Sequence, residues 1–239
     1  MATSDIKTAI ITGAGRGIGK AIAQAFLRES IAVAGVSRTP SELKYLEKEG
    51  GIRQIPTAAI RADVSQEADV LHVFDQAVSI LGHVDILVNN AGTIVLPGDL
   101  LSTSFEAYET MMQVNAQSVF LCCKAVIPHM LKRCSGSIIN ISSIAGLRGL
   151  QNRAVYCATK HAVNGFTKAL AIDLRPRGIA VNAICPGAVH TSLTDYSRPD
   201  AKKEDWMQPE DIADVAVFLA SDRARAMTGS ILEVVGWAD

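Results

Sequence analysis

Seven short apolar runs punctuate this chain: TAIIT (8–12), IAVAGVS (31–37), TAAIRAD (57–63), VDILVNN (84–90), SIIN (137–140), IAVNAIC (179–185) and ILEVV (231–235). Between most of them lie segments with apolar residues at helical spacing, such as IGKAIAQAFLRE, EADVLHVFDQAVSIL and EDIADVAVFLA. Strands that are apolar without alternation must be covered on both faces, which calls for parallel pairing with helical crossovers. Right-handed crossovers then predict an α/β, Rossmann-like doubly wound parallel sheet of about seven strands with helices on both faces. At 239 residues, with no repeat, low-complexity tract or linker, residues 1–239 read as a single domain.

The charge balance narrows the partners. Lysine and arginine number 23 against 24 acidic residues, so a net charge of −1 offers no electrostatic case for nucleic acid or an anionic membrane. No apolar run approaches the roughly 20 residues needed to span a bilayer. The N-terminus, MATSDIKTAIITG, reads as a first strand rather than a secretory signal. The five cysteines, Cys122, Cys123, Cys134, Cys157 and Cys185, show no CxxC spacing or histidine pairing. They read as reduced thiols of a cytoplasmic protein, with no metal site and no disulfide frame. His83, His129, His161 and His190 have no ligand spacing. A small-molecule ligand is the expectation.

The first strand runs into TGAGRGIG (12–19) and then a helix. Gly13 permits a tight turn, Gly17 lets the backbone approach a pyrophosphate, and Gly19, after Ile18, lets the helix pack closely on the sheet. The helix N-terminus adds donors and partial positive charge for phosphate. The second strand ends in Ser37 and Arg38, with no acid between Val33 and Pro40 to bind a ribose 2′-hydroxyl. Arg16, inside the turn, reaches the same ribose, and guanidinium forks suit phosphate. The alternative is two solvated surface arginines. The missing acid tips the reading to NADP(H) as preferred cofactor, with NAD(H) admitted. Asp63, in RADV, is placed either to accept from the adenine amino group, with Val64 beside the ring, or to form a turn.

The stretch YCATK puts Tyr156 and Lys160 on one helix face, four residues apart. A phenol ordinarily titrates near pH 10, and lowering that to about 7 takes roughly 4 kcal/mol of differential stabilisation of the phenolate. A nearby ammonium in a partly dry site supplies such stabilisation, making Tyr156 a general acid/base for a carbonyl–alcohol pair. Ser143, at the end of SIINISS, is placed to hydrogen-bond the substrate oxygen.

Taken together, TGAGRGIG (12–19), NNAG (89–92), Asn115 in MQVNAQSVF, Ser142-Ser143 with Tyr156-C-A-T-Lys160, and Pro186-Gly187 with Thr191 come in one order and spacing. In these the chain resembles the short-chain dehydrogenase/reductase family over essentially its full length. The resemblance implies that Tyr156 donates and accepts the proton and that Lys160 lowers its pKa and holds the nicotinamide ribose. Ser143, rather than Ser142, would orient the substrate, and Asn115 would hold a water linking Lys160 to solvent. Asn89, Ala91 and Gly92 would stabilise the central strand and flank the cofactor, while Pro186, Gly187, Val189 and Thr191 would contact its phosphates or carboxamide. The resemblance also implies a homotetramer pairing long helices around 104–131 and 154–174. The chain departs from the family at ILEVVGWAD, where Val235 and Trp237 replace an acid and a glycine of a Val-Asp-Gly-Gly ending; the departure bears on assembly.

The leading reading is therefore an NADP(H)-dependent oxidoreductase acting on CH–OH groups, a carbonyl reductase or alcohol dehydrogenase. One alternative is a 3-oxoacyl-[acyl-carrier-protein] reductase, although TIVLPGDL after NNAG lacks the polar run those enzymes often show. Another is a hydroxy-acid dehydrogenase resembling the 3-hydroxybutyrate enzymes, with Arg153 in QNRAVY on the substrate carboxylate; against it, Arg153 forms a salt bridge or subunit contact. A reading of a different class is a non-catalytic NADP(H)-sensing regulator, which the filled Ser-Tyr-Lys-Asn set argues against. The segment 190–210, HTSLTDYSRPDAKKEDWMQPE, is either a substrate loop or a surface excursion.

Overall fold

A computed structural model describes residues 6–96, 98–199 and 204–236. Its strands are β1 (Thr8–Thr12), β2 (Ala32–Ser37), β3 (Thr57–Arg61), β4 (Ile86–Asn89), β5 (Gly136–Ile141), β6 (Ile179–Pro186) and β7 (Ile231–Val234). All pair in parallel, in the order β3-β2-β1-β4-β5-β6-β7. The sequence expectation of a seven-stranded doubly wound sheet holds, with strand ends trimmed by a residue or two where the chain leaves the ladder.

Side chains alternate across a strand, and both sides of this sheet are dry. On β1, Ile10 belongs to one core layer and Ile11 to the other; Leu87 and Val88 on β4, and Ile138 and Ile139 on β5, divide the same way. Helices α1 (Gly17–Arg28), α2 (Lys44–Arg53) and α8 (Pro209–Ala220) bury Phe26, Leu46 and Ile212 against one face. Helices α3 (Glu67–Leu81), α5 (Ser118–Arg133) and α6 (Ala154–Leu174) bury Val73, Val126 and Val163 against the other.

Two segments differ from the sequence reading. The long helix expected around 104–131 is three pieces: α4 (Phe105–Met112), a π-helical turn Gln113–Gln117, and α5. The extra residue in that turn is held by Ser118, whose Oγ donates to the Val114 carbonyl at 2.7 Å. The irregular stretch 190–210 contains α7 (Ser192–Ser197) and the start of α8, and a bridge between Val189 and Met207 pins its base. Residues 200–203 of that stretch, and Trp237, lie outside the described residues.

The chain moves outward from β1 to β3 and then returns to the other side of β1 as β4. In open α/β sheets this switch point leaves a crevice at the strand carboxyl ends. The motifs singled out above cluster there.

Candidate active site

A cleft of about 320 Å³ opens over the carboxyl ends of β1 and β4. Gly13 has φ +65°, and a side chain there would meet Asn90 and the Ala91 backbone. A Cβ on Gly19 would run into the Gly13 carbonyl, and one on Gly17 would press on Thr191. The two strand ends are laced together: Thr12 Oγ1 accepts from the amides of Asn90 and Ala91 at 3.0 Å each. Asn90 Nδ2 donates to the carbonyls of Thr12 at 2.9 Å and Gly13 at 3.1 Å. Asn90, absent from the sequence reading, thus sets the shape of the turn. Asn89 takes the strand-stabilising part of its expected role and not the cleft-lining part. Buried at the end of β4, it donates from Nδ2 to Asn140 Oδ1 at 2.9 Å and does not line the cleft. Alternation explains the swap, since successive residues point to opposite faces.

The cleft wall is completed by Arg16, Ile18, Ala91, Gly92, Pro186, Gly187, Val189 and Thr191. Arg16 occupies the N-cap of α1 without capping it, so its guanidinium stays available and the first turn of the helix faces the cleft. Thr191 caps α7, accepting from the Thr194 amide at 3.2 Å.

At the β2–β3 end, Ser37, Arg38, Asp63 and Val64 line the cleft. Asp63 Oδ1 accepts from the Ser65 hydroxyl at 2.7 Å and the Ser65 amide at 3.0 Å, a turn role, while its Oδ2 stands 4.0 Å from Arg38. The sequence reading missed Glu42. A 3-10 turn, Pro40–Leu43, brings it back so that it accepts the Ser37 hydroxyl at 3.0 Å. The stretch from Val33 to Pro40 holds no acid, but the site has one, supplied two residues later. A proline three residues past the strand end was the available signal, because it starts a tight turn.

At the other end, β5 finishes beside the start of α6. The two serines divide their work: Ser142 Oγ donates to the Lys160 carbonyl at 3.2 Å and packs the helix, whereas Ser143 Oγ accepts from the Ala145 amide at 3.1 Å and stands near the Tyr156 phenol. Tyr156 lies in the first turn of α6, its ring centroid 5.8 Å from Lys160 Nζ. Lys160 is 4 % exposed, and its ammonium donates to the Ile141 carbonyl at 3.1 Å. Burial pulls its pKa down to about 8, opposed by Cys185. The phenol differs from expectation. Burial raises its pKa above the ordinary tyrosine range, Cys157 adding to the rise, while the Ser143 hydrogen bond, Arg198 and Arg153 oppose it. Lys160 Nζ stands 5.8 Å from the ring centre and gives one of its three donors to the Ile141 carbonyl.

Asn115 sits in the π-turn, 1 % exposed. Its Oδ1 accepts from the Thr93 amide at 2.7 Å, and its Nδ2 donates to the Thr93 carbonyl at 2.9 Å and to Thr159 Oγ1 at 3.1 Å. Its side chain therefore ties the segment after Gly92 to α6 beside Lys160. A turn with i→i+5 bonding at such a place is a frequent mark of functional sites.

Among the described residues Arg153 forms no salt bridge. Its guanidinium donates to the carbonyls of Ser197 and Asn152, each at 2.8 Å, tying the end of α7 to the start of α6. Arg148 reaches away to Glu233 at 3.9 Å. Among the described residues, no cluster of three or more His, Cys, Asp or Glu could hold a metal. None of their helices is long and apolar enough to cross a membrane.

The chain belongs to the short-chain dehydrogenase/reductase family: the model for short chain dehydrogenase matches residues 7–202. It is 36 % identical to the 3-oxoacyl-[acyl-carrier-protein] reductase FabG of Staphylococcus epidermidis, covering 96 % of this chain and 98 % of that one. Among solved structures, an actinorhodin polyketide ketoreductase with NADPH superposes with a TM-score of 0.92 at 33 % identity, over 99 % of this chain and 98 % of that chain. A 3-ketoacyl-(acyl-carrier-protein) reductase from Brucella melitensis complexed with NADH gives 0.88 at 35 % identity, over 95 % and 96 %. An oxidoreductase that uses a nicotinamide cofactor is the function these relations carry.

Proposed function

We propose that this member of the short-chain dehydrogenase/reductase family interconverts a carbonyl and a secondary alcohol, an oxidoreductase acting on CH–OH groups with NADP(H) preferred. The observation that carries the reading is the placement of Ser143, Tyr156 and Lys160 on one wall of the glycine-turn cleft. The residues present fit a dinucleotide: the turn leaves no room for side chains at Gly13, Gly17 and Gly19, and the α1 N-terminus faces the space a pyrophosphate needs. When bound, the cofactor supplies or accepts the hydride.

The protein does the rest. Ser143 Oγ donates to the substrate oxygen, and Tyr156 Oη gives that oxygen its proton in reduction or removes it in oxidation. Lys160 holds the nicotinamide ribose and brings positive charge toward the phenol, lowering the barrier to ionisation that burial alone raises. Asn115, through Thr93 and Thr159, keeps the wall around Lys160 in place. Arg16 and Arg38 reach a 2′-phosphate, and the preference rests on these two arginines, since structural neighbours are complexed with NADPH and with NADH alike. Four of the five cysteines are buried free thiols, consistent with a cytoplasmic setting. Exposed apolar side chains on the α4 and α5 segment, Phe105 and Phe120, support a homotetramer.

A second reading narrows the substrate to an oxoacyl thioester, favoured by full-length similarity to FabG. The hydroxy-acid reading rests on Arg153, which among the described residues has no carboxylate partner. The test is NADPH consumption with a panel of plain ketones, oxoacyl thioesters and oxo-acids, run beside Tyr156→Phe. Turnover that the variant abolishes supports the reading. Cofactor binding without turnover on any carbonyl would favour a nucleotide-sensing regulator instead.

A further inference from the structure

Glu42 is the one acid on the cleft wall that the proposed chemistry leaves unused, apart from Asp63 with its turn role. Its backbone is fixed: Pro40 opens the turn, and Leu43 is fully buried beneath Gly35. Its side chain is half-exposed and swings over the glycine turn, where a Cβ on Gly15 would collide with the carboxylate. Ser37 Oγ donates to Glu42 Oε2 at 3.0 Å while accepting from the Thr39 amide at 3.2 Å, so the hydroxyl is oriented toward the acid. Arg38, 71 % exposed, leans on Asp63 instead, at 4.0 Å. Among the described residues Glu42 has no cation partner, and the carboxylate stands where the end of β2 meets the glycine turn. That is the region where ribose hydroxyls are read in such folds.

We infer that Glu42 discriminates between the two nicotinamide cofactors. Its carboxylate accepts the 2′-hydroxyl of an unphosphorylated adenosine ribose in place of the Ser37 hydroxyl. Against a 2′-phosphate it is a like charge within a few ångströms, so Arg16 and Arg38 grip the phosphate only with the Glu42 side chain rotated out. The preference for NADP(H) is thereby held small. This inference rests on the cleft being a dinucleotide site and concerns which cofactor that site selects.

The experiment is a titration of NADPH and NADH into the wild type, Glu42→Gln and Glu42→Ala, read by tryptophan fluorescence, with circular dichroism to check folding. Glu42 holds one hydroxyl and no core contact of its own, so both variants are expected to fold. Removing the like charge is expected to tighten NADPH binding about tenfold. Losing the acceptor is expected to weaken NADH about threefold. A ratio of the two affinities that stays within about twofold of wild type in both folded variants overturns the inference, since a like charge at contact distance gives roughly fivefold even in water. Failure of the wild type to bind either cofactor would instead sink the dinucleotide reading itself.

Discussion

The two ends of the cleft are built to different tolerances. At the proton-transfer end, Lys160 and Asn115 are 4 % and 1 % exposed, and each spends its polar atoms on the main chain or on Thr159. At the adenosine end, Arg38 is 71 % exposed and its nearest acid is 4.0 Å away. Proton and hydride transfer tolerate displacements well under an ångström, so those groups are desolvated and tied to backbone. A phosphate is recognised by charge over a longer range, so arginines proposed to bind one can stay in water and keep their freedom. Substitutions at the two ends are therefore expected to differ in kind. The largest effect is Tyr156→Phe. Loss of the proton donor is expected to cut kcat by about 10³-fold or more, near the upper range for general acid–base catalysis, with NADPH affinity nearly unchanged. Stopped-flow turnover beside equilibrium titration checks both, and residual turnover within tenfold of wild type would remove Tyr156 from the mechanism.

Lys160 tests whether the tight end is paid for in stability. Its pKa lies at about 8 in the fold against an ordinary 10.5. Below pH 8 the ammonium is charged in both folded and unfolded chains, and the full burial cost of roughly 3 kcal/mol stands. Between the two values the unfolded chain binds more protons, so stability rises with pH across that window as the cost is relieved. Lys160→Met is expected to raise the thermal midpoint at pH 7 by a few degrees while lowering turnover about 10²-fold or more. The stability gain should fade as the pH climbs from 8 towards 10. Melting curves over that range decide the matter: a variant less stable than wild type at pH 7 would mean that the Ile141 contact outweighs desolvation.

The same contrast governs what the sequence disclosed. Strand count, parallel pairing and the glycine turn were legible because each follows from local periodicity or a steric demand. Tyr156 and Lys160 were legible because a four-residue helical spacing fixes a face. What escaped depended on contacts across the chain. Asn89 and Asn90 are adjacent, and only their register on β4 tells which one enters the cleft and which bonds Asn140. Glu42 escaped because the search for an acid stopped at Pro40, and a 3-10 turn carried the carboxylate back to Ser37. The direction of the Tyr156 shift escaped because spacing brings Lys160 near but does not show how far the fold desolvates the phenol.

Between the two ends sits the glycine turn, and it sides with the rigid end. Gly19→Ala places a Cβ against the Gly13 carbonyl and Asn90, backbone and clamp alike, with no flexible neighbour to yield. Overpacking of this kind costs about 1–3 kcal/mol. Because the strain falls on the phosphate-facing turn, weakened binding of NADPH and NADH together is expected beside a lower melting point. An alanine variant that bound one cofactor normally and lost the other would place Gly19 in selection rather than in shape.

The smallest effect should come from Arg38→Ala, and it sharpens the comparison most directly. A half-solvated guanidinium 4.0 Å from Asp63 contributes little to the fold, so no measurable change in melting temperature is expected. NADPH affinity should fall about tenfold, the scale of one charge-assisted contact to phosphate. NADH affinity should change little, because its ribose carries a neutral hydroxyl in place of the phosphate charge. The NADPH difference should also shrink as salt is raised from about 0.05 to 0.5 M, where screening shortens to a few ångströms, while the Tyr156→Phe loss should be indifferent to salt. Equal loss of both cofactors on removing Arg38 would mean that this arginine shapes the cleft through Asp63, and the adenosine end would then be as tightly built as the other.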